Sequence, residues 1–179
     1  MHDDELPVDS TDVLTLEGAF ADRDRWKAKG WCRIERALDV IGTRSSLLII
    51  RELLYGGHKF NELVRRTALS DAVASARLKQ LYADGIVDRR PYREPGKRTR
   101  DEYVLTDLGR RLFPVIVALT DWGELLKDDH HTGIELVHRG CDAPLTTVVR
   151  CSQGHDVPLE DAAAKLRDED YVLSRLRAE

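Results

Sequence analysis

The chain has 179 residues, of which 28 are Lys or Arg and 32 are Asp or Glu, so its formal net charge is −4. This length suffices for one domain with a hydrophobic core plus appendages, or for one domain and a small second module. No apolar run approaches the roughly 18 residues of a membrane-spanning helix, and the acidic start "MHDDELPVDST" is unlike a signal peptide, so we expect a cytoplasmic protein with no membrane partner.

The first 42 residues begin with an acidic segment and continue with two helix-like patterns. Residues 1–16 are acidic and show no periodicity, which predicts a disordered tail. Residues 16–30 are rich in helix-favouring residues and end in a glycine, which predicts a helical arm. In "CRIERALDVIG", Ile34, Leu38 and Ile41 share one face, so we expect a packed helix there.

Three further helices are predicted, each preceded by a capping residue. Thr43 can cap "RSSLLIIRELLYGG", whose broad apolar stripe is typical of a core helix. Asn61 can cap "ELVRRT", and Ser70 can cap "DAVASARLKQLYADG". In the last helix we expect these residues to point inward: Val73, Ala74, Leu78 and Leu81. Because the short connection "ALS" joins the last two helices, they form a helix-turn-helix candidate.

Positive charge is concentrated in the middle of the chain. Residues 44–111 hold 15 Lys and Arg against 9 Asp and Glu, although the whole chain is acidic. In this region "IVDRRPYR" and "DEYVLT" have strand-like residues, and "EPGK" between them is a turn signal. The sequence therefore predicts a basic β-hairpin. Such segregation favours a polyanionic partner, although a solvated basic face would give the same count.

A long apolar helix is predicted after the hairpin. Thr106 can cap "DLGRRLFPVIVALTDWGELLKDD", whose apolar residues cover more than one face, too many for a helix packed on a single side. This surplus of apolar residues predicts that a partner helix packs against the second face. Pro114 should kink the helix or mark where it bends over the domain.

The C-terminal segment contains two Cys and His pairs. "IELVHRGCDAPLTTVVRCSQGHDV" predicts two short strands around a Pro-containing loop, and a charged helix is predicted over residues 160–167. The pairs His138/Cys141 and Cys151/His155 lie where a four-coordinate zinc ribbon would need its ligands. A doubled C-x-x-C is missing, so two alternatives stay open: a bound zinc ion, or a metal-free degenerate ribbon. The odd number of cysteines argues against a disulfide framework.

With the elements in this order, the chain resembles a known family. The resembling segments are "CRIERALDVIG", "LLIIRELLYG", "KFNEL", "LSDAVASARLKQLYADGIVDRR" and "YVLTDLGRRLFPVIVALTDWGE". Over residues 32–126 the chain is similar to the HxlR-type winged helix-turn-helix regulators of the MarR-like superfamily. The resemblance implies a bacterial or archaeal homodimeric transcription factor, without catalysis, that binds a pseudo-palindromic operator. We expect a mainly α fold with a small antiparallel β-hairpin wing and a small β-hairpin/helix appendage at the C-terminus.

The second helix of the helix-turn-helix is the predicted recognition helix. Such a helix enters the major groove and presents its N-terminal and outward-facing residues to base edges. The candidate contacts are Ser70, Asp71, Ala72, Ser75, Ala76 and Lys79. Arg77 lies nearer the buried side, and we expect it to brace the helix or reach a phosphate. Few of these side chains are long and polar, so specificity would depend on few contacts plus DNA shape.

The basic hairpin is the predicted wing, with its turn in the adjacent minor groove. Because side chains alternate across a strand, Arg89, Arg90 and Arg93 cannot all face DNA, and we favour Arg93. The wing candidates are therefore Arg93, Lys97, Arg98 and Arg100. The alternative is that these charges only keep the tip of the hairpin soluble and do not contact DNA.

Cys32 is the candidate redox sensor. It begins a helix, where free amides and the macrodipole, together with Arg33 and Arg36, favour a thiolate. The matching cysteine of many HxlR-type relatives senses oxidants or electrophiles, and the resemblance implies this role for Cys32. The alternative is a half-buried, inert thiol. Modification of the protein by an oxidant or an electrophile, or binding of another small effector, would cause the protein to release its DNA or to bind it.

The dimer interface is expected on the long helix and the N-terminal arm. Its candidate residues are Trp26, Trp31, Leu112, Ile116, Leu119, Trp122 and Leu126. The chain thus divides into a tail with the start of the arm (residues 1–24), a winged helix-turn-helix and dimerisation domain (25–128) and a C-terminal extension (129–179).

The predicted function is a homodimeric, sequence-specific DNA-binding regulator, a repressor and not an enzyme. The alternative is a winged-helix protein-interaction module with a zinc-binding C-terminal hairpin, which predicts no salt-dependent DNA binding. A thiol enzyme would need a nucleophile and a base in a cleft. The pair Cys151 and His155 would have to supply them, and it lies on a segment too small to build such a cleft.

Overall fold

A computed structural model of the chain describes residues 13–25, 32–93, 95–96, 98–126 and 134–168. The elements within these residues are β1 (Thr15–Leu16), α1 (Arg33–Ile41), α2 (Arg44–Leu54), α3 (Phe60–Thr67), α4 (Asp71–Ala83), β2 (Val87–Tyr92), β3 (Arg100–Leu105), α5 (Asp107–Arg110), α6 (Phe113–Glu124) and β4 (Ala163–Ala164). They confirm a mainly α fold with a small antiparallel wing. Among the described helices, none is both long and apolar enough to cross a membrane.

The chain separates into two compact units. The larger unit is Gly30–Thr147, and the smaller unit combines the described residues of Met1–Lys29 and Val148–Glu179. Residues 134–147 of the predicted C-terminal extension thus belong to the larger unit. They are attached to α6 there, because the backbone N–H of Thr147 donates to Asp121 Oδ2 at 2.6 Å.

The core of the larger unit is built around α2. Thr43 caps this helix as predicted, since its Oγ1 accepts from the Ser46 backbone N–H at 3.1 Å. The largest fully buried apolar side chains come from α2, α3, α4 and β2: Ile49, Ile50, Leu63, Leu78, Leu81 and Val87. Burial of one such side chain contributes about 1.5–3 kcal/mol. The helix-turn-helix and the wing are therefore both anchored on the same core.

The helix-turn-helix consists of α3 and α4. Ser70 caps α4 as predicted, because its Oγ accepts from the Val73 backbone N–H at 3.4 Å. The prediction that Asn61 caps α3 was wrong. Lys59 is the N-cap residue, and the Glu62 carboxylate reaches back to the Lys59 backbone N–H at 3.3 Å, so the helix begins before Asn61.

One predicted core position of α4 is exposed. Ala74, Leu78 and Leu81 are buried as expected, but Val73 is 45% exposed. Successive helical residues are rotated by about 100° around the helix axis. Val73 therefore lies beside the buried stripe that Ala74, Leu78 and Leu81 define, and it was wrongly assigned to the core.

The predicted hairpin is confirmed as the antiparallel pair β2 and β3, whose register runs from Val87 opposite Leu105 to Tyr92 opposite Arg100. The outer edge of β3 is also paired. Lys59 forms an isolated bridge with Glu102, and the Tyr103 backbone N–H donates to the His58 carbonyl at 2.8 Å. The wing is therefore joined to the chain segment that leads into α3.

The single long helix predicted after the hairpin is instead two helices, α5 and α6. Thr106 caps α5, where its Oγ1 accepts from the Gly109 backbone N–H at 3.0 Å. Pro114 lies in the first turn of α6. Proline has no N–H to donate and is well tolerated at a helix start, so Pro114 lies in the first turn of a new helix and does not kink a continuous one.

The smaller unit corrects the predictions for both ends of the chain. Thr15–Leu16 and Ala163–Ala164 form a parallel pair, so the end of the predicted disordered tail is a strand, whereas residues 1–12 lie outside the described residues. Two 3-10 turns, Gly18–Ala21 and Arg23–Arg25, replace the described part of the predicted arm helix. The helix predicted over residues 160–167 is absent, because Leu159–Asp161 is a 3-10 turn and the chain then extends into β4.

The tail hairpin also differs from its prediction. Two isolated bridges close short turns, Val137 with Pro144 in the larger unit and Arg150 with Asp156 in the smaller unit. Each bridge encloses one of the Cys and His pairs. The predicted strands on either side of the Pro-containing loop were therefore wrong.

Candidate nucleic-acid interface

The outer face of α4 is open to solvent. All six predicted contact residues are exposed: Ser70, Asp71, Ala72, Ser75, Ala76 and Lys79. Arg77 is half-buried, and within the described residues its buried Nε has no hydrogen-bond partner. The exposed Val73 adds an apolar side chain to this region that the sequence pattern had assigned to the core. Hydroxyl, carboxylate, ammonium and methyl groups are thus available on one accessible helix.

The wing carries its positive charge on exposed side chains. Arg93, Arg98 and Arg100 are exposed, whereas Lys97 lies outside the described residues. Arg100 begins β3 opposite Tyr92, next to the turn. Such a cluster produces a positive potential that attracts polyanions.

Three further contacts of the wing were missed by sequence reasoning. The Arg89 guanidinium lies over the Tyr82 ring, 4.7 Å from its centroid, and is 5.9 Å from the Tyr103 ring centroid. Lys59 Nζ lies 5.1 Å from the centroid of the Tyr92 ring. The strand register puts Arg89 opposite Tyr103, which was the available signal, but the approach of Tyr82 depends on the position of α4.

The family comparison matches the part of the chain that contains this interface. The model of the HxlR-like helix-turn-helix family matches residues 40–131, about half of the chain. The chain belongs to the HxlR-like helix-turn-helix family. As an HxlR-like protein it is a transcriptional regulator with a helix-turn-helix fold, and membership indicates a regulator and not an enzyme.

Individual relatives of this HxlR-like chain are also helix-turn-helix transcriptional regulators. It is 39% identical to an HTH-type transcriptional regulator of Mycobacterium bovis over 109 residues, which cover 60% of this chain and 68% of that protein. A Bacillus subtilis HTH-type transcriptional regulator is 34% identical over 98 residues, which cover 54% and 75% of the two chains.

Solved structures extend the similarity beyond the helix-turn-helix. The crystal structure of PA1607, a candidate transcription factor, superposes with a TM-score of 0.68 at 33% identity, and the similarity covers 79% of this chain and 98% of PA1607. The structure of PA1374, a candidate transcription factor from Pseudomonas aeruginosa, superposes with a TM-score of 0.54 at 29% identity, and the similarity covers 75% of this chain and 92% of PA1374.

The predicted dimer residues of the HxlR-like chain divide into three groups. Trp26 and Trp31 lie outside the described residues. Ile116 is only 6% exposed and Leu112 packs against the same core, so a single chain already accounts for both side chains. The remaining three are exposed on or just beyond α6: Leu119, Trp122 and Leu126.

Cys32, the predicted sensor of the HxlR-like chain, is half-buried at the N-cap of α1. Its side chain accepts no capping hydrogen bond there. The thiol therefore lies at the expected helix start, but without the direct amide contact that capping would provide.

The two Cys and His pairs are each closely spaced. His138 Nδ1 lies 3.1 Å from Cys141 Sγ, and Cys151 Sγ lies 3.6 Å from His155 Nδ1. Backbone N–H groups, first that of His155 and then that of Gln153, lower the pKa of the Cys151 thiol below its ordinary value. Across the described ranges, no three His, Cys, Asp or Glu side chains form a group that could hold a metal ion. The zinc site stays a prediction.

Proposed function

We propose that the protein is a homodimeric repressor that binds a pseudo-palindromic operator. The observation that carries this proposal is the exposed face of α4, which lies on the same core as a basic wing. The major groove of B-DNA admits one α-helix, and side chains on its outer face can reach base edges. Such a protein represses transcription when its bound dimer occupies the promoter.

The proposed contacts follow from the chemistry of each element. Ser70, Ser75 and Lys79 can donate hydrogen bonds to bases or phosphates, and Ala72 and Ala76 can meet thymine methyl groups. Asp71 can accept hydrogen bonds from cytosine amino groups, and Arg77 supports the helix or reaches a phosphate. In the wing, Arg93, Lys97, Arg98 and Arg100 supply positive charge to phosphates and to the minor groove.

The dimer of the proposal is formed through the exposed apolar residues of α6. Trp122 is 60% exposed and Leu119 is 43% exposed in the single chain, which is unfavourable for a helix that remains in water. In a two-fold symmetric dimer, the second chain would cover these residues. Its two recognition helices would enter half-sites about one helical turn apart, about 34 Å.

The proposal is tested with labelled duplexes that cover the DNA directly upstream of the protein's own gene. Fluorescence anisotropy at several salt concentrations should give tight binding with a steep negative dependence of log K on log salt. A shuffled duplex of the same composition is the control and should bind at least about 1000-fold more weakly. Binding that does not depend on salt or on sequence would contradict the proposal and favour a protein-interaction module.

We further propose that oxidation or electrophile modification at Cys32 changes the affinity for DNA. Cys32 is the N-cap residue of α1, and the exposed Arg33 and Arg36 follow it in the first turn of the helix. Diamide or a quinone should then weaken operator binding of the reduced protein about tenfold or more, and Cys32→Ser should abolish this response. Cys141→Ser and Cys151→Ser are the matched controls, and a response that survives in Cys32→Ser would exclude Cys32 as the sensor.

A further inference from the structure

The face of the wing that carries Arg89 is the face turned to the core. Side chains alternate across a strand, so Val87 and Arg89 of β2 share a face with their partners Leu105 and Tyr103 of β3. Val87 is 1% exposed and Leu105 is 8% exposed, which identifies this face as the inner one. Arg89 therefore continues this inner face beyond the edge of the apolar core, where its own side chain is exposed.

Arg89 contacts the recognition helix and both strands of the wing. The side chain starts on β2, its guanidinium lies 4.7 Å from the Tyr82 ring centroid on α4, and it is 5.9 Å from the Tyr103 ring centroid on β3. A guanidinium within about 6 Å of an aromatic ring centroid is attracted by the negative face of the ring. This single cation thus links three elements.

The opposite face of the wing has a comparable contact. Lys59, the N-cap residue of α3, places Nζ 5.1 Å from the centroid of the Tyr92 ring on β2. The base of the wing is held by hydrogen bonds, since Thr106 Oγ1 donates to the Gly85 carbonyl at 2.6 Å. The outer part of the hairpin is therefore held to the helix-turn-helix by side chains on both of its faces.

We propose that Arg89 is a positioning residue that holds the wing at a defined distance and angle from the recognition helix, and that it does not contact DNA. This inference rests on the proposed DNA-binding function. A wing and a helix that already have the spacing of adjacent grooves lose less conformational freedom when they bind. Without Arg89, binding would weaken because the wing must first be ordered, while the number of phosphate contacts would stay the same.

The test compares four variants on the labelled upstream duplexes: Arg89→Ala, Tyr82→Ala, Tyr82→Phe and the double variant of Arg89→Ala with Tyr82→Ala. Each of the two single alanine variants should weaken binding about fivefold. The slope of log K against log salt should stay at the wild-type value. Tyr82→Phe keeps the ring and should bind like the wild type. The double variant should be no weaker than Arg89→Ala alone, because Arg89→Ala already removes the contact with Tyr82.

Arg90→Ala is the matched charge-removal control, since Arg90 is exposed on the opposite face of β2. A salt slope that falls by about one unit in Arg89→Ala would show a lost phosphate contact and overturn the proposal. Unchanged affinity of Arg89→Ala, or additive losses in the double variant, would also overturn it.

A second readout does not require DNA. Amide hydrogen exchange in β2 and β3 should be faster in Arg89→Ala than in the wild type, while exchange in α2 should be unchanged. Equal exchange in the wing would refute the positioning role even if no duplex were bound. Failure of the wild type to bind any duplex in a salt-dependent manner would instead refute the proposed function, so the two failures are distinguishable.

Discussion

Gly109 lies where the backbone leaves no room for a side chain. A Cβ atom at this position would be 2.2 Å from the Ile86 carbonyl oxygen and 3.0 Å from Leu105 Cδ2. The contact brings α5 directly against the start of the wing, where the Thr106 backbone N–H also donates to the Ile86 carbonyl at 3.0 Å. A residue without a side chain thus decides how closely α5 can approach the wing.

We predict that Gly109→Ala destabilises the protein by about 2 kcal/mol, because the backbone of Ile86 must move to accept the methyl group. Gly123→Ala in α6 is the matched control. A Cβ at Gly123 would have no neighbour within 4 Å, so this change should be neutral or stabilising by up to about 1 kcal/mol. Urea unfolding of both variants measures the difference, and equal stabilities would contradict the close approach.

Glu62 is the second residue whose local contacts predict a measurable effect. The Lys59 backbone N–H, which donates to its carboxylate, is the main cause that lowers the pKa of Glu62 below its ordinary value of 4.5. A carboxyl group whose pKa is lowered by folding stabilises the folded state above its unfolded pKa. This stabilisation is lost as the pH falls through the folded pKa.

Glu62→Gln should therefore lower the free energy of unfolding at neutral pH by about 0.5 kcal/mol, a small value because the side chain is still partly exposed to solvent. The difference between wild type and variant should shrink as the pH falls below about 4.5. Unfolding experiments at a series of pH values measure this difference in the free energy of unfolding. A difference that stays constant to the lowest pH would show that charge is not involved.

At the scale of the element, the wing combines a fixed base with a charged tip. Val87 and Leu105 pack in the core, whereas Arg93, Arg98 and Arg100 near the turn are exposed. The two ends of one hairpin thus have different requirements: apolar burial at the base and accessible positive charge at the tip. The same division would allow the tip to change its contacts with DNA without loss of the fold.

We predict that Arg98→Ala weakens operator binding and lowers the salt slope by about one unit, because one phosphate contact is lost. The thermal midpoint should not change, since Arg98 is exposed. Arg139→Ala removes an equally exposed arginine outside the wing and serves as the control. If binding isotherms of Arg98→Ala match those of wild type at two salt concentrations, the wing does not contact DNA.

At the scale of the whole molecule, the single chain leaves apolar surface uncovered. Trp122, Leu125 and Leu126 are 60%, 77% and 52% exposed at the end of α6, although Ile116 and Val117 of the same helix are buried. An α-helix with apolar residues on two sides needs a partner on each. The core of one chain covers one side of α6, and a second copy is the proposed partner of the other.

Trp122→Glu should therefore convert the dimer into monomers and weaken operator binding more than about tenfold, because a buried charge is unfavourable and two half-sites must be bound together. Sedimentation equilibrium measures the mass of the species. Glu124→Ala on the same helix is the control and should stay dimeric. A dimer of unchanged stability in Trp122→Glu would place the interface elsewhere.

Local hydrogen bonding and periodicity made much of this protein predictable from its sequence. Thr43, Ser70 and Thr106 cap the predicted helices because each hydroxyl accepts from an amide only three residues away. The two strands of the wing were recognisable for the same reason, since composition and a turn signal specify a hairpin locally. The exposure of the proposed contact residues of α4 was also predictable, from the position of this helix after the turn.

Contacts between distant residues decided the remaining features. Thr15–Leu16 and Ala163–Ala164 are extended because they pair with each other, and the close approach of Gly109 to Ile86 sets the position of α5. Tyr82 approaches Arg89 only because α4 and β2 share one core. The sequence by itself determined where α2, α4 and α5 begin and where the hairpin of the wing forms, since the hydrogen bonds of a cap or a turn connect near neighbours. Only the tertiary structure decided which side chains meet, because such contacts join residues that are distant along the chain.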